Sequence, residues 1–154
     1  MRSSIFSAYV LACAGVALAK PEQIRAVQDP IYHFYLQSYP KNGSIAVMGP
    51  EASSEFFNIN GSIQSANTSL YLNVGSDSTS YKTLTFGTAA STSAWALEGD
   101  TIITAQSSTW GRQLNFLACK LDGNYWQVYL QTGSATPSGG NCSNYQSLHL
   151  PCLC

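Results

Sequence analysis

Charge is scarce in this sequence. Asp, Glu, Lys and Arg make up 10% of the 154 residues, seven basic against eight acidic. So thin a distribution has no electrostatic footprint for nucleic acid or an anionic membrane surface, and neither is expected as a partner. Histidine is scarcer still: His33 and His149 are the only two, and neither stands at a metal-ligand spacing. No nucleophile elbow, phosphate-binding loop or zinc signature is present. No window carries a convincing 3.6-residue apolar period, so helices are not expected. After residue 19 there is no second long apolar run to span a bilayer, and the C-terminus lacks the hydrophobic tail of a glycolipid anchor.

The one long apolar run that is there, Ile5 to Leu18, follows Arg2 and ends at Ala17-Leu18-Ala19. A short positive start, an apolar stretch and small residues at the cleavage positions predict a signal peptide over 1–19. The expected product is secreted and begins at Lys20. Cys13 leaves with the signal, and Cys119, Cys142, Cys152 and Cys154 remain. In an oxidising compartment these four are expected in disulfides, and the residues alone allow three pairings. A Cys119–Cys142 bond would close a long loop and contribute about 3 kcal/mol. Cys152 and Cys154, separated by Leu153 alone, would form a small strained ring if paired with each other. Four Asn-x-Ser/Thr triplets, at Asn42, Asn60, Asn67 and Asn141, are candidate N-glycosylation sites. Asn60 and Asn67, near predicted turns, are favoured.

From Ile31 onward, short apolar and alternating runs are cut by turn residues. Lys20 to residue 30 shows no periodicity and is expected as a flexible leader, with a single all-β domain over 31–154. Tyr32 to Leu36 is the first predicted strand, with Tyr32, Phe34 and Leu36 on one face. Asn60-Gly61, Glu98-Gly99-Asp100 and Asp122-Gly123 are hairpin signals between apolar runs. The last joins Leu114–Cys119 to Tyr125–Leu130, a hairpin that carries a cysteine, a tryptophan and two tyrosines. The order aromatic, aliphatic, glycine turn, aliphatic at Phe57 to Ile63 recurs about 38 residues later at Trp95 to Ile102. Three units of that length predict a β-trefoil-like barrel. A Greek-key β-sandwich is the alternative. Ser134 to Asn144 reads as loop.

No catalytic residue, cofactor site or metal site is expected. His33 and His149 lie in apolar strand-like runs, where a histidine is more often structural than a base. Glu98 and Asp100 flank a turn glycine, a common place for carboxylates. They would serve a glycosidase only across a cleft of suitable width. Carbohydrate recognition suits the aromatics near turns better: Trp110, Tyr81, Tyr125, Trp126 and Tyr145. Trp95 and Trp126 sit in strand patterns and are expected in the core, which leaves Trp110, between Thr109 and Gly111, as the candidate glycan contact of the alternative function, a secreted lectin-like carbohydrate-binding module or effector.

Several of these runs together carry a resemblance. Ser69-Leu70-Tyr71-Leu72, Trp95-Ala96-Leu97 with its turn, Leu114 to Cys119, and Trp126 to Leu130 followed by Thr132-Gly133, Pro137 and Cys142 resemble the fungal cell wall protein phiA-like secreted family. The likeness runs from about Phe34 to Cys154. It implies a small secreted, glycosylated, non-enzymatic protein of the fungal cell wall, linked to asexual sporulation or wall integrity. Wall polysaccharide or wall proteins are the partners it implies, and it brings no catalytic residues. It also implies that Cys119 pairs with Cys142. The family's N-terminal cysteine is missing, and the closing Cys-Leu-Cys differs from the family's tail.

Overall fold

The computed structural model describes residues Lys20 to Pro151. The signal peptide expected over 1–19, and with it Cys152 and Cys154, lies outside the described residues. Thirteen strands follow one another: β1 (Arg25–Ala26), β2 (Tyr35–Tyr39), β3 (Asn42–Gly49), β4 (Phe57–Asn60), β5 (Ser62–Ser65), β6 (Tyr71–Val74) and β7 (Tyr81–Gly87). After these come β8 (Trp95–Glu98), β9 (Thr101–Thr104), β10 (Phe116–Lys120), β11 (Trp126–Gln131), β12 (Cys142–Gln146) and β13 (Leu148–His149). One 3₁₀ turn, Glu51–Ser53, is the only helical element among the described residues. The chain is a single all-β domain, as its turn-punctuated alternation predicts.

Every strand pairing is antiparallel, and the strands join into one curled, 13-stranded sheet rather than the two stacked sheets of a sandwich. Two patterns are visible within it. In the first, β4 pairs with β5, β8 with β9, β9 with β13, and β13 with β1. Glu22, just ahead of β1, bridges to Phe57 of β4 through hydrogen bonds of 2.9 and 2.8 Å. The Trp95 N–H of β8 donates to the Gly61 carbonyl of the β4–β5 turn at 2.8 Å. These links carry the short strands round into a ring. Closure of this kind leaves little unpaired edge.

In the second pattern, β2–β3, β6–β7 and β10–β11 are hairpins whose second strands meet one another. Ile45 of β3 faces Thr85 of β7, Tyr129 of β11 faces Thr83 of β7, and Trp126 of β11 faces Met48 of β3. One hydrophobic cluster draws side chains from the ring and from the three hairpins alike. The inward residues of β11, Trp126, Val128 and Leu130, alternate with Gln127 and Tyr129 as the pleat requires. Phe57 and Trp95, the aromatics aligned by the sequence repeat, both open a ring hairpin and both are buried. Trp95 stacks on Phe116 at 6.4 Å and donates its indole N–H to the Leu72 carbonyl at 3.0 Å, so its polar atom is satisfied.

Three expectations are corrected. The leader is not a loose arm: Ile24 and Ala26 are fully buried, and Arg25 pairs with both Tyr35 and His149. The barrel supplies the partners that this segment's own sequence does not announce. The strand expected from Tyr32 begins instead at Tyr35, as β2, because His33 takes a positive φ of 59° and turns the chain. Tyr32 and His33 instead stack on each other, exposed, at 3.8 Å. Cys142 to Asn144, expected as the end of a loop, instead open β12, which pairs with β10.

That pairing sets Cys119 directly opposite Cys142, and the two are disulfide-bonded with Cα atoms 4.0 Å apart. Of the residues in β12, Gln146 alone is buried, so the strand contributes little apolar contact. The Gln131 side chain adds a polar clasp, donating to Asn144 Oδ1 at 2.9 Å and accepting the Tyr145 N–H at 2.8 Å.

Candidate functional site

The loop between β9 and β10 is held in shape by its own hydrogen bonds. Thr104 Oγ1 donates to the Gly111 carbonyl at 2.7 Å and accepts the Gln113 N–H at 3.0 Å, while Ser108 Oγ also donates to the Gly111 carbonyl, at 2.9 Å. Gly111 adopts a φ of 67°, which lets the chain reverse directly after Trp110 without a side-chain clash. Trp110 is thereby set out from the loop, half-buried, packing on the edge of the core. Gln113 Nε2 donates to the Trp110 carbonyl at 2.9 Å and fixes the loop's near side.

Across from it stands the loop between β6 and β7. Asp77 folds back over the chain there, accepting the Thr83 N–H at 2.8 Å and the Thr83 hydroxyl at 3.0 Å. A Cβ at Gly75 would lie 2.7 Å from Asp77 Oδ2, so a larger residue there would push the carboxylate aside. The Thr83 amide, followed by its hydroxyl and by nearby Lys82, holds the Asp77 carboxyl below its ordinary range, against a smaller opposing effect of burial. The Lys82 ammonium donates to the Asp77 carbonyl. Nearby, burial first, then Tyr81 and Asp77, holds the Tyr129 hydroxyl above its usual range.

Between these loops lies an open cavity of about 520 Å³, lined by Trp110, Thr109, Gln113, Asp77, Lys82 and Thr132, with Gly75 and Ser76. An aromatic residue shares this lining with an ionised carboxylate, an ammonium, an amide and three hydroxyl-bearing residues. That set can take an apolar ligand face and hydroxyl groups together. The candidate contact Trp110 is therefore placed in a concavity. Sequence pattern does not single out Asp77, Lys82 and Gln113. Their short-range signal is Gly75 followed by Asp77 in a polar loop, which reads the same as any solvated turn.

The other aromatics lie elsewhere. Trp126 is core, Tyr125 packs edge-on against Tyr39 at 5.7 Å, Tyr81 does the same with Tyr129 at 5.6 Å, and Tyr145 is exposed on β12. Asn42, Asn60, Asn67 and Asn141 are all exposed, and none lines the cavity. Asn42 Oδ1 accepts the Ser44 hydroxyl at 2.8 Å, and Asn67 Oδ1 accepts the Phe56 N–H at 2.9 Å. Glu98 is occupied by Arg112, whose Nε donates to Glu98 Oε2 at 2.7 Å, while Asp100 sits 3.3 Å from His149 Nδ1. The two turn carboxylates thus serve different partners. A second, smaller concavity of about 200 Å³ is bordered by Phe57, Ile59, Leu97, Leu150, Lys20 and Glu22. Among the described residues there is no group of three or more metal-binding side chains, and no helix long and apolar enough to cross a membrane.

The depressed Asp77 titration has an observable consequence. A carboxylate whose folded-state pKa is lowered adds stability above its ordinary value and loses it as pH falls through the folded one. The Thr83 amide resonance is therefore expected to titrate with a midpoint below 3.8, the ordinary Asp value. A midpoint at or above 3.8 would show that the Asp77–Thr83 contact does not hold the loop in solution.

Comparison with family models, with curated proteins and with solved structures found no match.

Proposed function

We propose that this chain is a secreted, glycosylated cell wall protein on a β-trefoil scaffold, which binds wall polysaccharide through the Trp110 cavity. The single observation carrying the reading is the meeting of Trp110 with Asp77, Lys82 and Gln113 around one open concavity. A sugar ring presents an apolar face to an aromatic side chain and hydroxyls to fixed acceptors and donors. Asp77 is held ionised and oriented by Thr83, so it meets a ligand hydroxyl without first having to order. An open cleft also suits one or two residues of a longer polymer better than a small, enclosed metabolite. The trefoil reading draws support from the ring hairpins and the three mutually paired hairpins. Secretion, the fungal wall and a part in sporulation or wall integrity come from the signal-like leader and the phiA-like resemblance.

The test uses protein recovered from culture medium, expected to begin at Lys20. It is incubated with insoluble wall glucan and chitin and applied to a glycan array. Binding to at least one wall glycan is expected, weakened about tenfold or more in Trp110→Ala, a loss of at least ~1.4 kcal/mol. Absence of glycan binding, or equal binding by Trp110→Ala, would remove the polysaccharide reading.

A further inference from the structure

We propose that Ser147, His149 and Asp100 form a nucleophile, its general base and a positioning carboxylate on the outer wall of the barrel, reactive toward small carboxylic esters. This activity is independent of the Trp110 cavity. Ser147, just ahead of β13, and His149, within it, lie two residues apart, and their side chains meet while Leu148 between them is buried in the core. His149 is anchored on both sides, its backbone paired with Arg25 of β1 and Thr101 of β9. The β8–β9 turn then brings Asp100 alongside.

The resulting chain of contacts is directional. Ser147 Oγ lies 2.8 Å from His149 Nε2, and His149 Nδ1 lies 3.3 Å from Asp100 Oδ1. An ionised carboxylate can only accept a hydrogen bond, so the imidazole proton belongs on Nδ1. Nε2 is then left as the acceptor for the Ser147 hydroxyl, which is the pairing of nucleophile, base and orienting group that activates a serine. Thr101 Oγ1, 3.3 Å from Nδ1 and 3.5 Å from Asp100 Oδ1, brackets the same carboxylate. The imidazole is mostly covered, at 19% exposure, which limits how far it can swing.

The step balances within these groups and water. Ser147 Oγ attacks the ester carbonyl and its proton passes to His149 Nε2. The acyl carbon–oxygen bond to the alcohol then breaks, and the alcohol leaves with that proton. Water repeats the sequence on the acyl-serine, freeing the acid and restoring Ser147. None of the three residues lines either concavity, so the substrate is an ester that can meet an open surface, either small or carried on the side of a polymer.

The experiment uses a fluorophosphonate probe, which bonds to an activated serine oxygen as fluoride leaves. Peptide mapping of the folded protein is expected to place the label on Ser147, with none on that peptide in Ser147→Ala. The rate should fall about 10²-fold or more in His149→Gln, since the general base is lost. Asp100→Asn, a change in an exposed turn, should slow labelling while leaving the melting temperature unchanged. It should also shift the His149 ring ¹⁵N resonances away from the Nδ1–H pattern, and the slower labelling that accompanies this shift is what a merely structural carboxylate would not give. Label absent from Ser147, or present at equal rate in Asp100→Asn with unchanged ring resonances, would overturn the proposal even if His149→Gln failed to fold. Hydrolysis of p-nitrophenyl acetate in parallel shows whether the acyl-serine turns over: turnover that Ser147→Ala abolishes supports esterase chemistry. A label on Ser147 without such turnover would overturn the esterase step.

Discussion

Trp95→Ala is expected to cost about 3–5 kcal/mol, the usual range for emptying a buried tryptophan site. That is a large share of the ~5–15 kcal/mol that holds a domain of this kind together. Trp95 is 2% exposed, so nearly all of its side chain would be replaced by cavity. Its position compounds the loss. The ring stacks on Phe116 of the β10–β11 hairpin, its indole donates to Leu72 of β6, and its backbone N–H reaches the β4–β5 turn. Two separate pieces of the chain therefore lose a side-chain neighbour at once, while the backbone bond to the β4–β5 turn is one that alanine can still make. Trp95→Phe should recover much of the packing but leave the Leu72 carbonyl short of a donor, a cost of about 1 kcal/mol beyond the volume change. Urea unfolding followed by tyrosine fluorescence and circular dichroism measures both. A Trp95→Ala protein within about 1 kcal/mol of the parent would mean that the ring is not held where the structure puts it.

Loss of the Cys119–Cys142 bond ranks next. The bond spans 23 residues, and constraining a loop of that length in the unfolded chain contributes about 3 kcal/mol. For a domain of this size that corresponds to a melting temperature lower by about 10 °C in Cys142→Ala. The local structure shows where the damage should fall. β12 pairs only with β10, and Ser143, Asn144 and Tyr145 bring no buried apolar surface to it. Without the bond, what remains is the backbone pairing with β10, the Gln131 clasp and the covered amide of Gln146, which donates to the Asp29 carbonyl at 3.0 Å. Hydrogen exchange should accordingly rise first across residues 134–146, ahead of global unfolding. A melting point within about 2 °C of the parent would show that β12 is held by its hydrogen bonds and not by the disulfide.

Both effects fall on residues whose importance is legible in the amino-acid order. Trp95 sits in an alternating run beside a glycine turn, and that local pattern already places it inward. Asn60-Gly61, Glu98-Gly99-Asp100 and Asp122-Gly123 mark hairpins because glycine there accepts the positive φ that a tight turn needs, and all three are turns. Strand alternation and turn chemistry are short-range properties, so all-β architecture, the hairpin plan and the buried Trp95 and Trp126 follow from the amino-acid order alone. The wall association and developmental role implied by the phiA-like resemblance rest on short apolar runs, which specify packing more than they specify a partner.

What needed the tertiary structure is of another kind. Residues 20–30 carry no periodicity, yet Ile24 and Ala26 are sealed into the core because β13, β2 and Phe57 surround them. Burial there is decided by partners elsewhere in the chain, β13 among them more than a hundred residues away, which no local pattern encodes. Trp110 is identifiable as an aromatic beside a glycine, but the side chains facing it come from β6–β7 and from beyond β11, brought together only when the sheet curls. His149 is solitary in the sequence for the same reason. Its neighbour Ser147 stands two residues before it in the chain, while Asp100 reaches it only because β9 lies against β13. Local sequence thus determined which segments are strands and which side chains point inward. The closing of the sheet decided which polar groups stand within hydrogen-bonding distance of one another, because that depends on long-range register and on nothing in the neighbouring residues.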